Sequence, residues 1–215
     1  MLEYGMLSEA GTKAIVFDLD RTLFKITPLG KPILFLKQRK PPHELPIHTR
    51  EEIARLDINH SPTKQPSTGL SEDFSLQLIA RSKLFPGVAD EIKRLIDEGF
   101  DIFINTGRPN KLTWADVTNE TLDNAGILNF FKEIFYKPPG VSSTISKAHV
   151  LHLLSKGYNT VEFSDDEAPT AHFIASIFPE IRVNLVKNNL SRTTLETLPN
   201  LKIVSSIVTR QGNTI

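Results

Sequence analysis

The chain reads as an α/β protein: a Rossmann-like core with a mainly parallel sheet, helices on both faces, and a small cap or flap insert. Three observations say so. Short apolar runs alternate with stretches of helical periodicity from residue 14 to about residue 186. Polar clusters stand at the ends of those runs or at the start of the next helix: Asp18-Leu19-Asp20-Arg21-Thr22, Thr106-Gly107-Arg108, Lys147 and Asp165-Asp166. Such clusters mark one rim of an open parallel sheet, the rim at which these sheets bind ligands. The alternation is interrupted once, over residues 25–84, by a proline-rich segment of different pattern.

Taken in order, Ala14-Ile15-Val16-Phe17 is the first buried strand, ending at Asp18. In the insert, Leu23 to Thr27 and Ile33 to Leu36 flank Pro28-Leu29-Gly30-Lys31-Pro32 and predict a β-hairpin. Thr49-Arg50-Glu51-Glu52 is a capping box that opens a short helix through Leu56. The Pro, Ser, Thr and Lys residues between His60 and Gly69 predict an irregular loop, and Phe74, Leu78 and Ile79 a helix running to about Ser82. The core resumes with a helix over Val88 to Asp97, whose Val88, Ile92, Leu95 and Ile96 share one face and which Gly99 stops. Strand Asp101 to Asn105, helix 113–125, strand Ile134 to Tyr136, helix 146–155, strand 160–163, helix 168–177 and strand Arg182 to Val186 follow. Ser191 to Leu198 and Lys202 to Val208 add a last helix and strand before a polar, frayed tail. The expected division is a core of residues 1–24 and 85–215 and an insert of residues 25–84.

Asp18 and Asp20 put two carboxylates two positions apart at a strand end, within reach of one ion. Like charges held that close need a divalent cation, unless one of them keeps a proton. An all-oxygen donor set suits a hard, octahedral cation, so the expected cofactor is Mg2+. No zinc pattern competes: the six histidines are scattered, and His149 and His152, at i,i+3, read as surface or packing residues.

In their order and context the four clusters resemble the haloacid dehalogenase superfamily of hydrolases, in its phosphatase branch with the Asp-x-Asp-x-Thr motif. The resemblance covers residues 14 to about 186 and implies roles. Asp18 would be the nucleophile and Asp20 the general acid and base, with Thr106, Gly107 and Lys147 binding phosphate and Asp18, Asp20, Asp165 and Asp166 around the metal. Members differ in which carboxylate of the Asp-Asp pair meets the ion. Phe163-Ser164-Asp165-Asp166-Glu167 matches those using the second, which favours Asp166 and leaves Asp165 to orient Lys147 or a metal-bound water. Superfamily members that attack carbon lack the second aspartate, so Asp20 points to a phosphatase.

The implied reaction is phosphomonoester hydrolysis through an aspartyl-phosphate. A phosphate monoester carries about two negative charges near neutral pH, and an anionic nucleophile approaches it once Lys147, magnesium and backbone amides neutralise its oxygens. Asp20 must then start protonated, which a neighbouring carboxylate favours. Arg108 reads equally well as a substrate contact and as an ion pair orienting its loop. Arg21 stands where many members have glycine and is a further candidate substrate contact.

A small insert leaves the mouth open and tolerates bulky or macromolecular phosphoesters, whereas a full cap encloses small metabolites. The expected substrate is a small phosphorylated molecule, with a nucleotide or a nucleic-acid 3′-phosphate as the alternative. Thr106-Gly107-Arg108-Pro109 also looks like the phosphatase domain of polynucleotide kinase-phosphatases and related acid phosphatases. The run Lys37, Arg39, Lys40 and the lone Trp114 have bland readings beside nucleic-acid ones, as a solvated strand end and as packing. A catalytically silent phosphate-binding or scaffold protein is the alternative of another class.

Composition frames these readings. With 215 residues, 40% of them hydrophobic, there is length for one sizeable core plus an insert. Twenty-five basic and 25 acidic residues cancel, so no global charge pulls toward nucleic acid or an acidic membrane. The absence of cysteine excludes disulfide and thiol chemistry. With no signal-length apolar stretch before the first strand and no membrane-length run, the expectation is a cytoplasmic protein.

Overall fold

The computed structural model describes residues 12–25, 49–66, 69–187 and 198–210. Its centre is a six-stranded sheet built from β1 (Lys13–Phe17), β4 (Phe100–Pro109), β5 (Glu133–Lys137), β6 (Thr160–Asp165), β7 (Arg182–Val186) and β8 (Leu201–Val204). The spatial order is β5-β4-β1-β6-β7-β8 and every neighbouring pair is parallel. The connections are α3 (Val88–Asp97), α4 (Leu112–Asn124), α5 (Ser143–Gly157) and α6 (Ala168–Ile177). The predicted α/β core is thus present. No helix among the described residues is long and apolar enough to cross a membrane.

Alternation along the strands sorts the core into two layers. Ala14, Val16, Phe103, Phe135 and Phe163 pack with Ala148, Leu151 and Phe178 on one face; Ile15, Phe17, Ile102 and Ile104 pack with Ile92, Leu95 and Leu122 on the other. Both faces being covered is why the strands read as apolar runs without a polar side. Asn200 ties the far end together, its amide donating to the carbonyls of Ala175, Phe178 and Ile181 at 2.9–3.1 Å.

Of the 25–84 segment, α1 (Arg50–Ala54) opens on the expected capping box, Thr49 and Glu52 bonding reciprocally. Its Ile53 is fully buried in the same cluster as Ala148 and Leu151. Helix α2 (Leu70–Ala80) is fastened to α4 by Glu72, which accepts from Lys111 Nζ (3.0 Å) and from the Trp114 indole (2.7 Å), so Trp114 serves packing. The predicted hairpin lies mostly outside the described residues, as do the last helix and Lys37, Arg39 and Lys40. What is described of the hairpin, β2 (Phe24–Lys25), pairs antiparallel with β3 (Lys83–Leu84) at the two ends of the insert.

Several boundaries differ from expectation. Helix α5 starts one turn early, because Ser142 is the N-cap and accepts from Ile145 N–H (3.2 Å); Lys147 therefore lies inside the helix. Strand β4 runs on through Pro109, and the last strand stops at Val204, giving way to a 3-10 turn over Ile207–Arg210. His149 and His152 are buried, which removes the surface reading. His60 Nδ1 faces the Tyr136 carbonyl at 3.1 Å, and its Nε2 lies 3.0 Å from His149 Nδ1. Burial pushes His60 down to about 4, and the pair is neutral packing between insert and core.

Candidate active site

Register builds the site. Phe17 pairs with Ile104 on one side and Ser164 on the other, so the residues just beyond, Asp18, Asn105-Thr106 and Asp165, emerge together at the C-terminal rim. The Asp18 N–H continues the ladder to Ser164 O (2.8 Å). On the other side of β4, Asn105 pairs with Phe135 and Pro109 with Lys137, so Thr106, Gly107 and Arg108 stand opposite Tyr136 alone. This bulge takes the Thr-Gly-Arg segment out of the regular ladder and turns it toward the rim. Sequence reasoning gave Asn105 no role; its amide donates to Lys147 O (3.2 Å), locking α5 to the rim.

Two separate charge groups result. In the first, Lys147 Nζ lies 2.7 Å from Asp18 Oδ1 and 2.7 Å from Asp165 Oδ2, all three buried. Asp165 uses its other oxygen to accept from the Glu167 N–H (2.8 Å). Asp166 stands beside them, its Oδ2 3.2 Å from Arg21 Nε. One oxygen from each of Asp18, Asp165 and Asp166 lies within 4.8 Å of the others. Three carboxylate oxygens at that spacing could hold a metal ion. In this state Asp165 is engaged by Lys147 and Glu167, Asp18 by Lys147 and Asp166 by Arg21.

The second group is Asp20 and Arg108. The guanidinium forks onto the carboxylate, Nε to Oδ2 at 3.1 Å and Nη2 to Oδ1 at 2.7 Å, while Nη1 donates to Thr118 Oγ1 (2.8 Å). Arg108 N–H is 3.2 Å from Thr106 Oγ1, so Thr106 is buried within its own loop. Gly107 leaves room for α5: a Cβ there would sit 2.9 Å from Ser143 Oγ. The strand ends at Phe17, and Asp18 and Asp20 do not share one ion-binding group as their spacing predicted. A turn with Arg21 in the left-handed region (φ 67°) sends Asp20 to Arg108, and the Asp20 carboxylate is not a member of the acidic cluster.

The two groups titrate in opposite directions. Burial pushes the Asp18 carboxyl well up; Lys147 opposes this, and the charges of Asp165, Asp166 and Asp20 add to it. Burial also raises Asp166, against the pull of Arg21, to about 7. Lys147 is pushed down by burial, but Asp165 and Asp18 override this and keep it firmly protonated. Burial favours the neutral form of Asp20 too, yet Arg108 outweighs it and holds this carboxyl below its usual range. Asp20 in this state is therefore ionised at neutral pH, contrary to the expectation that a neighbouring carboxylate keeps it protonated; the fork of Arg108 is the physical reason.

No protein-family model and no curated protein sequence matches this chain. Solved structures do match in shape. A dehalogenase superposes with a TM-score of 0.56 at 13% identity over 91% of this chain and 93% of its own. The L-2-haloacid dehalogenase from Xanthobacter autotrophicus with chloropropionic acid covalently bound gives 0.52 at 14% over 91% and 95%. The HAD phosphatase from Thermococcus onnurineus gives 0.51 at 12% over 91% and 94%. At these identities the likeness is one of fold, and the fold is that of the haloacid dehalogenases.

Proposed function

We propose that this chain, folded as haloacid dehalogenases are, is a magnesium-dependent phosphomonoester hydrolase acting through an aspartyl-phosphate on Asp18. Structural neighbours of this fold include both dehalogenases and a phosphatase, so fold alone does not choose between carbon and phosphorus. The observation that supports phosphorus is Asp20 on Arg108, a second carboxylate placed separately from the first. A halide leaves carbon as a stable anion and needs no proton. An alkoxide leaving phosphorus needs an acid, and Asp20 is the group within the same turn that can supply one.

The steps follow from the residues. An Asp18 oxygen attacks phosphorus, the ester P–O bond breaks, and the leaving oxygen takes a proton from Asp20. Water then attacks phosphorus, gives a proton back to Asp20, and the bond to Asp18 breaks, releasing phosphate. Asp20 takes its first proton from solvent when Arg108 turns part of its fork to the incoming phosphoryl oxygens, which leaves the upward push of burial on the carboxyl unopposed by that guanidinium. Lys147 keeps the Asp18 carboxylate aimed, and Thr106 and the bulged backbone at Gly107 receive the phosphoryl group. Asp18 and Asp166, with the Asp20 carbonyl, would hold a magnesium ion, which when bound would supply positive charge for the phosphoryl oxygens and lower the raised Asp18 carboxyl. In this reading the substrate is a small cytoplasmic phosphomonoester.

The test is phosphate release from p-nitrophenyl phosphate, sugar phosphates, nucleotides and 3′-phosphorylated oligonucleotides, with and without magnesium. Chloride release from 2-chloropropionate is measured alongside. Magnesium-dependent phosphate release that Asp18→Asn abolishes is the expected result. Metal-independent chloride release with no phosphate release would overturn the reading.

A further inference from the structure

Arg21 is the only non-glycine residue with a left-handed backbone among the described residues (φ 67°). Its conformation is fixed by the turn: Arg21 N–H donates to Phe24 O at 2.8 Å, and the Leu23 and Phe24 N–H groups both bond Leu19 O. A Cβ is strained in this region, and strain held in place by surrounding structure tends to gather at functional sites. Here it sits directly after Asp20 and places a guanidinium Nε 3.2 Å from Asp166 Oδ2.

The surroundings give that contact a consequence. Asp18 and Asp165 are held by Lys147, and Asp20 is held by Arg108; both cations are nearly fully buried. The Arg21 side chain is 32% exposed, at the mouth. Of the cations in these pairs it is the least buried. It also lies against the carboxylate that, with Asp18, offers oxygens to a cation.

We infer that Arg21 is an internal competitor at the cation site: its guanidinium holds Asp166 while no metal is bound and must give it up when a divalent ion is taken. The inference rests on the cation reading given above. Its consequence is that this chain binds magnesium more weakly than its three carboxylates alone would, since each binding event breaks an ion pair and brings a second positive charge near the first. A neutral residue at position 21 removes both penalties.

The test is calorimetric titration of magnesium, and in parallel manganese, into wild type, Arg21→Gly, Arg21→Asn and Arg21→Lys, with thermal melts to show that each is folded. Glycine and asparagine both accept the left-handed backbone, so either variant keeps the turn. The expected result is an affinity about ten-fold tighter for Arg21→Gly and Arg21→Asn, with Arg21→Lys close to wild type. Equal or weaker affinity in the two neutral variants overturns the competitor role and leaves the cation site standing. No heat of binding in any of the four overturns the cation reading and the competitor together.

Discussion

Lys147 and Arg108 each face an aspartate of the Asp18-Leu19-Asp20 turn, but Lys147 lies between two fully buried carboxylates, whereas Arg108 forks onto a single one whose side chain is 32% exposed. On the Lys147 side, negative charge exceeds positive within the cluster, and Asp18 is pushed up by burial and by its acidic neighbours. On the Arg108 side the charges match one to one, and Asp20 is pulled down. Two residues apart in sequence, the two carboxyls titrate in opposite directions. What separates them is the turn at Arg21, and the difference divides the labour: one side calls for an added cation, the other holds a charge-balanced pair that a substrate anion can unsettle.

Removing Lys147 tests the comparison hardest. Lys147→Met leaves Asp18 and Asp165 facing each other without their counter-charge, and breaking a buried pair by deleting one partner costs about 3–5 kcal/mol. Activity should fall to background. The folded value of Asp18, already raised, rises further, so its protonated form is the one the fold favours. That stability is present below the unfolded value of about 3.9 and is lost as pH rises through the folded value. Urea midpoints should therefore show a large loss for the variant at pH 7.5 that shrinks on acidification. A loss independent of pH would mean that the two sides do not differ as described.

Arg108→Gln probes the balanced side with a smaller effect. Asp20 can turn to water, so the expected loss of stability is about 1 kcal/mol at pH 7. The sign with pH is opposite. A depressed carboxyl stabilises the fold above its unfolded value of about 3.9, and that contribution disappears as pH falls through the lower folded value. Wild type should show this acid-side loss and Arg108→Gln should not. In turnover, the free variant's Asp20 holds its proton to higher pH, so the alkaline limb of kcat/KM against pH should move upward even where the maximum is lower. An unmoved limb would break the link between Arg108 and the protonation of Asp20.

The parts of this arrangement legible in the sequence are those with a local cause. Strands buried on both faces appear as apolar runs, the capping box at Thr49 and Glu52 announces its helix, and Asp18, Asp165 and Asp166 stand at or just past strand ends where the alternation places them. The start of α5 was misread because Ser142, Ser143 and Ser146 all resemble caps and only packing chooses among them. The Arg108 fork on Asp20 joins residues 88 positions apart, and nothing in either segment predicts it over a solvent-facing arginine. Arg21 beside Asp166 is equally non-local. Thr118, which receives the third edge of Arg108, lies in an ordinary helix. The ionised state of Asp20 follows from such a contact, which is why residue pattern alone gave the opposite expectation.

The smallest effect should come at the seam between the two sides. Gly107 lies on the strand that carries Arg108, and Ser143 on the helix that carries Lys147. A Cβ at Gly107 would stand 2.9 Å from Ser143 Oγ and 3.7 Å from its Cβ. The backbone at Gly107 is not left-handed, so alanine adds no conformational strain there and the contact alone decides the outcome. Because the crowded atom is the end of a rotatable side chain, Gly107→Ala should lower stability by less than about 1 kcal/mol. It should reduce kcat/KM several-fold, by spreading the two sides where the phosphoryl group must touch both. Adding Ser143→Ala removes the crowding atom and leaves an ordinary contact, so the double variant should recover most of the lost kcat/KM. If Gly107→Ala is impaired and Ser143→Ala does not restore it, spacing across the seam is not what Gly107 provides, and its lack of a side chain serves the substrate directly.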